Sequence, residues 1–214
     1  SNATMTVTGA GSTWSAYDDG VTAWAGFVNV GLFGSGTLNV TDGGTVEAVR
    51  LYIGNDVGST GTVLLSGEGS TVRTQQGLYI GAEGAGTLTL TDGAHIKAET
   101  IKVGYLSGST GTLNIGAAAG ETAAAAGMID TGEIVLGSGE SQLVLNHIHN
   151  DYEIAANFTG TGDVNVLAGT TRLSGDNSAF AGGFSIEGGK LILASATNAV
   201  STAIGTEGTL QIGN

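Results

Sequence analysis

The chain has 214 residues, of which 39 are glycine, with no proline, no cysteine, 12% charged side chains and a formal net charge of −13. The lack of cysteine excludes a disulfide scaffold, and 41% apolar content excludes a disordered chain. The acidic balance argues against nucleic acid and anionic membrane surfaces as partners, and no stretch approaches the ~20 apolar residues of a membrane helix.

Residues 1–3, Ser-Asn-Ala, look like a cleavage scar left by an expression tag, so the natural ends are expected to be missing. Residues 4–35 read as an atypical first repeat. It carries Trp14 and an insertion running from Tyr17, Asp18 and Asp19 to Trp24. Trp14 aligns with Val46 and Val72 and is expected to plug an inward column. The insertion is a candidate ligand-contacting loop.

From Gly36 the chain repeats itself. Gly36-Thr-Leu-Asn-Val, Gly61-Thr-Val-Leu-Leu, Gly86-Thr-Leu-Thr-Leu and Gly111-Thr-Leu-Asn-Ile begin at a constant interval of 25 residues. Alternate units match more closely still, since Thr41-Asp-Gly-Gly-Thr-Val-Glu-Ala and Thr91-Asp-Gly-Ala-His-Ile-Lys-Ala lie 50 positions apart without a gap. The other unit type reads Ser66-Gly-Glu-Gly-Ser-Thr-Val and has its partner in Thr8-Gly-Ala-Gly-Ser-Thr-Trp. A fixed period in this range marks a solenoid.

Within a unit the apolar residues alternate: Leu38 and Val40, Val46 and Ala48, Leu51 and Ile53. Period two means strand, and three short runs per unit cannot bury their faces alone. They must stack on copies of themselves, about 4.8 Å apart, which predicts an all-β parallel β-solenoid with about three strands per coil of roughly 25 residues. Over the whole chain this amounts to one continuous stack of roughly eight coils. Val7, Val40, Leu65, Leu90 and Ile115 form one expected inward column, and Val30, Ile53, Ile80 and Val103 another. Gly31, Gly54, Gly81 and Gly104 close the third strand of successive units, where a sharp turn leaves little room for a side chain.

The outward positions of the third strand read Asn29, Tyr52, Tyr79 and Lys102, and those of the second read Glu47, Arg73 and Lys97. Such columns stabilise a sheet by cross-strand pairing. A ribbon of tyrosine, amide and alternating charge is also what a carbohydrate or a second solenoid could grip. We therefore take Tyr17, Asp18, Asp19, Trp24, Asn29, Tyr52, Tyr79 and Lys102 as the candidate contact surface.

Regular coils are expected over residues 4–115, an Ala-rich loop over 116–127, and a continued solenoid of another coil type over 128–214. Alternation persists there in Glu133-Ile-Val-Leu, Gln142-Leu-Val-Leu and Lys190-Leu-Ile-Leu. Nothing in the chain reads as a catalytic or cofactor signature. His147 and His149 have no third histidine or cysteine nearby, and Asp42 and Asp92 sit a whole superrepeat apart, so neither a metal nor a cofactor is expected.

Several of these runs resemble the passenger domains of Gram-negative autotransporters. Gly-Ser-Thr-Gly-Thr at 58–62 and 108–112, Gly-Ala-Gly-Ser-Thr-Trp at 9–14 and the Leu-Tyr-Ile-Gly runs at 51 and 78 look like their paired short repeats. Leu143-Val-Leu-Asn-His with Asp151-Tyr152, then Gly160-Thr-Gly, Leu167-Ala-Gly-Thr-Thr and Leu173-Ser-Gly-Asp-Asn-Ser-Ala-Phe-Ala-Gly-Gly, resemble the passenger-associated repeat. The resemblance implies a right-handed β-helix exported through the periplasm to the cell surface. Together with the lack of a catalytic signature it points to a non-catalytic adhesin fragment, whose implied partner is a host surface or matrix component, protein or glycan, or the same passenger on a neighbouring cell. The alternatives are a passive stalk and, less favoured, a glycan-active β-helix enzyme.

Overall fold

The structure, a computed structural model, describes residues 2–17, 26–194 and 202–213. Among them every named element is a strand, and every strand pairing is parallel. The first coil contributes β1 (Asn2–Thr8), β2 (Thr13–Ala16) and β3 (Phe27–Val30). The second and third contribute β4 (Ser35–Thr41) with β5 (Thr45–Ile53), and β6 (Thr60–Ser66) with β7 (Thr71–Ile80). There follow β8 (Ala85–Thr91), β9 (His95–Lys97) and β10 (Thr100–Val103), then β11 (Thr110–Gly116), β12 (Met128–Asp130) and β13 (Glu133–Leu136). The sixth coil holds β14 (Glu140–Asn146), β15 (Tyr152–Ile154) and β16 (Asn157–Gly160). The last three are built from β17 (Asp163–Ala168) and β18 (Thr170–Leu173), β19 (Gly183–Ile186) and β20 (Lys190–Leu193), and β21 (Thr202–Ile204) and β22 (Thr209–Ile212).

These strands stack into the faces of a parallel β-helix. The first face is a 9-stranded sheet in the order β1-β4-β6-β8-β11-β14-β17-β19-β21, one strand per coil, so the stack has nine coils where the repeat count suggested about eight. The second and third faces share strands β5 and β7, which turn the corner between them. Thr45 to Ala48 of β5 pair with β2, whereas Arg50 to Ile53 pair with β3. The expected columns are in register. Val7, Val40, Leu65, Leu90 and Ile115 are consecutive partners, as are Val30, Ile53, Ile80 and Val103. All are buried. Each contributes roughly 1.5 to 3 kcal/mol by leaving water, and repetition along the axis offsets the entropy of ordering a glycine-rich chain.

The corner after the third face explains one glycine in each of the regular coils. Gly81 has φ +72° and a side chain there would meet the backbone carbonyl of Thr110 in the next coil. Only glycine combines that left-handed conformation with so close an approach of neighbouring coils.

The corner after the first face explains why the superperiod is 50 residues and not 25. Asp42 and Asp92 occupy it with φ of 53° and 54°, whereas the intervening coils turn through Gly9 to Ser12 and Gly67 to Ser70. Asp42 accepts a hydrogen bond from Thr8 Oγ1 at 3.0 Å, and Asp92 accepts one from Ser66 Oγ at 2.9 Å. In turn Gly43 N donates to Ser70 Oγ at 3.0 Å. Unlike corners satisfy one another, while two Asp corners on adjacent rungs would set carboxylates about 4.8 Å apart.

Past the middle, the coil changes. Residues 117–127 hold no named strand. Asn146 of the next coil clamps them, donating through Nδ2 to the carbonyls of Ala118 and Glu121, both at 2.9 Å. The second face is interrupted here, since β12 ends one sheet and β15 begins a separate sheet ordered β15-β18-β20-β22. Tyr152 OH crosses that break to the carbonyl of Gly127 at 2.7 Å. Beyond Gly160 the coils shorten, with Asp163 paired to Gly183 and Phe184 to Thr202, and among the described residues the third face continues as a bridge between Gly160 and Phe180. Phe158, Phe180 and Phe184, in edge-to-face contact at 6.2 and 5.3 Å, fill the narrowed core.

Candidate functional site

The third face carries the outward column read from the sequence. Asn29, Tyr52, Tyr79 and Lys102 are direct partners across β3, β5, β7 and β10, and the column continues into Val135 of β13. The pleat sends them outward because Val28, Leu51, Leu78 and Ile101 point in on one side and Val30, Ile53, Ile80 and Val103 on the other. Tyr52 and Tyr79 stack with ring centroids 4.6 Å apart and planes inclined by 21°.

Three residues that the sequence reading did not single out extend this pair. Phe27 meets Tyr52 edge-on at 6.1 Å, and Tyr105 meets Tyr79 edge-on at 5.5 Å. Arg50 lies over the Phe27 ring at 5.4 Å and donates through Nε to Gln76 at 2.7 Å. Lys102 is held between two rings, 5.1 Å from the centre of Tyr79 and 4.4 Å from that of Tyr105. A cation so placed is attracted by the negative faces of both rings. Tyr105 was legible in principle, because it follows corner glycine Gly104 as Asn55 follows Gly54. Phe27 was not, since its partner positions are Arg50 and Gly77.

Beside this ladder runs a groove of about 450 Å³. Its lining includes the rings of Phe27, Tyr52, Tyr79 and Tyr105, with Leu32 and Leu106 toward its two ends. The leucines lie three coils apart, which makes the groove about 14 Å long at one rung per 4.8 Å. Asn29 and Asn55 face each other in it, Asn55 Nδ2 donating to Asn29 Oδ1 at 2.8 Å. Among the described residues Glu83 is the single carboxylate of the lining. Neither Glu83 nor Lys102 belongs to an ion pair among the described residues, where Arg73–Glu47 at 3.9 Å and Lys97–Asp130 at 3.2 Å are the pairs formed on the second face.

Of the other candidate residues, Tyr17 alone is described, and it is not among those lining the groove. Tyr17 follows directly on β2 and is 36% exposed. Asp18, Asp19 and Trp24 lie outside the described residues. Trp14 pairs with Val46 and is partly buried against the core, in the plugging position read from the repeat alignment.

His147 and His149 follow the end of β14. β14 ends at Asn146, and His147 turns inward, fully buried. Its Nδ1 accepts from the backbone N–H of His149 at 3.2 Å, so the ring proton sits on Nε2, which donates to Thr171 Oγ1 at 2.7 Å. With both ring nitrogens engaged, His147 has no lone pair to offer a metal ion. Burial, reinforced by the neighbouring His149, lowers its pKa from 6.5 to about 4. Tyr152, 5.0 Å from His147, has its own pKa raised by burial. No group of three or more His, Cys, Asp or Glu able to hold a metal occurs among the described residues.

Fold and site thus define a parallel β-helix bearing an aromatic groove along one face. No protein-family model matches the chain, and no solved structure matches it. The chain is similar to an uncharacterized lipoprotein, YdeK, of Escherichia coli strain K12, at 36% identity over 191 residues. The match covers 85% of this chain but 14% of that relative, so the chain corresponds to a small part of its length.

Proposed function

We propose that this chain is a non-catalytic segment of a surface-exposed adhesin of the Gram-negative envelope, acting by contact with a matrix component or with another copy of itself. The observation that carries this reading is the aromatic groove on the third face. It is a concave surface lined mostly by aromatic and aliphatic side chains, with Asn29, Asn55 and Glu83 as polar groups among them. The likeness to a protein described as a lipoprotein supports an envelope location, and the repeats that resemble autotransporter passengers support export to the cell surface. Repeated shallow contacts along a solenoid reach useful strength through multivalency.

Catalysis is the weaker reading of the same groove. Glycoside cleavage ordinarily requires two carboxylates across the scissile bond, and among the described residues the lining supplies Glu83. A passive stalk is favoured by one observation: the faces of Tyr52, Tyr79 and Tyr105 are partly occupied by one another and by Lys102. Replacing Tyr52 and Tyr79 together by Ser in the cell-displayed protein decides between the two. Adhesion to matrix-coated surfaces and cell aggregation should both fall, with the purified variant still folded. Unchanged adhesion and aggregation would leave the stalk.

A further inference from the structure

We infer that the third-face groove binds a neutral hexose glycan laid along the solenoid axis; this rests on the reading of the groove as a contact surface. Several ligand classes could enter an aromatic trough, and its geometry and charge separate them.

An extended peptide is disfavoured by direction. The groove crosses β3, β5, β7 and β10, whose backbone groups are already paired with one another along the ladder. A peptide running across them would find no backbone partners for its own amides. A second solenoid would meet the edges of the groove without filling it, since a flat sheet cannot enter a concave trough and each copy carries −13, so self-contact leaves the trough itself open to a ligand. The same field opposes sulfated and uronic polymers, and the carboxylate within the lining, Glu83, would face their anionic groups directly.

A neutral sugar meets none of these objections. Its C–H faces are apolar and suit the rings of Phe27, Tyr52, Tyr79 and Tyr105, with Leu32 and Leu106 extending the apolar contact at each end. Its hydroxyls need both acceptors and donors. Glu83 offers two carboxylate oxygens to adjacent hydroxyls, the arrangement a vicinal diol fills. The Asn29–Asn55 bond uses one N–H of Asn55 and the oxygen of Asn29, leaving the Asn29 amide donors and the Asn55 carbonyl for a ligand. Lys102 stays with its two tyrosines, orienting the platform.

The test titrates the purified chain with cellohexaose, laminarihexaose and mannohexaose as neutral probes, and with heparin and oligogalacturonate as acidic ones, at low and high salt. At least one neutral hexasaccharide should bind, with affinity unchanged by salt. Glu83 is exposed and, among the described residues, outside any ion pair, so Glu83→Ala should leave the melting temperature in place while weakening that binding about tenfold. Binding confined to the acidic probes and lost at high salt overturns the inference. So does the absence of binding to every neutral probe, or a Glu83→Ala variant that binds them as well as the parent. If adhesion depends on Tyr52 and Tyr79 while no sugar binds, the glycan inference falls and the contact reading stands. If Glu83→Ala abolishes sugar binding while the tyrosine variant adheres normally, the groove binds glycan and the adhesive reading falls.

Discussion

Thr8 and Asp42 lie 34 residues apart in the chain and one coil apart in the structure, joined by a 3.0 Å hydrogen bond from the threonine hydroxyl to the aspartate carboxylate. Ser66 and Asp92 repeat the relationship two coils further on. Each aspartate holds a left-handed backbone conformation that a bulky side chain would resist. These corners, more than the strands, set which coil follows which.

Asp92→Val should therefore be costly although the site lies at the surface. It places a β-branched residue at φ near 54° and removes the acceptor for Ser66. The expected loss is about 2 kcal/mol. Asp92→Gly loses the same hydrogen bond but relieves the backbone, and should cost less than half as much. Urea melts of the two variants against the parent measure both, and equal losses would show that the hydrogen bond, not the backbone, dominates.

The inward columns predict cooperative damage. Leu90 is fully buried between Leu65 and Ile115, with no polar partner within the core column. Leu90→Asp buries a carboxylate there, and a loss of more than about 4 kcal/mol is expected. Because each coil is the template for the next, neighbouring coils should melt with it. Hydrogen exchange would show protection falling in β6, β8 and β11 together; a loss confined to β8 would contradict the stacking argument.

Acid should loosen the junction between the two coil types. His147 titrates near pH 4 in the fold and near 6.5 when unfolded, so between those values the unfolded chain binds the extra proton. Stability is thus complete above about pH 6.5 and declines as pH falls toward 4. The decline is on the order of 3 kcal/mol, about 1.4 kcal/mol for each pH unit between the two values. Protonation would also sever the bond from His149 N–H to Nδ1. His147→Gln should be less stable than the parent at pH 7.5 but show a flatter slope from pH 6.5 to 4.5. Parallel slopes would assign the acid sensitivity to other groups.

Tyr152 offers a separate check on the same junction. Its hydroxyl bonds to the Gly127 carbonyl across the break in the second face. Tyr152→Phe keeps the ring against His147 and leaves that carbonyl without this partner, at an expected cost of about 1 to 2 kcal/mol. Exchange protection at residues 126–130 should fall more than at β4 or β6.

Most of the architecture was legible in the chain because a solenoid repeats its local signals. The 25-residue interval located each coil, and strict alternation in runs such as Thr87-Leu-Thr-Leu told inward from outward positions. Asn29, Tyr52, Tyr79 and Lys102 fell into one column for the same reason. The nine-coil count was harder to read, because beyond Gly160 the spacing between paired strands shortens, as from Asp163 to Gly183 and from Phe184 to Thr202, and the 25-residue period is lost.

The sequence by itself determined that copies of a short strand set must stack, since no single coil can bury its own apolar residues. Only the tertiary structure decided what the outward residues build. Phe27, Arg50 and Tyr105 join the tyrosine pair through bends and corners whose directions no periodicity encodes. His147 likewise turns into the core because its partners, the His149 backbone and Thr171, come together only when the coil closes. Periodic burial is a property of one strand, whereas a groove or a buried polar cluster depends on side chains from several coils meeting at one place.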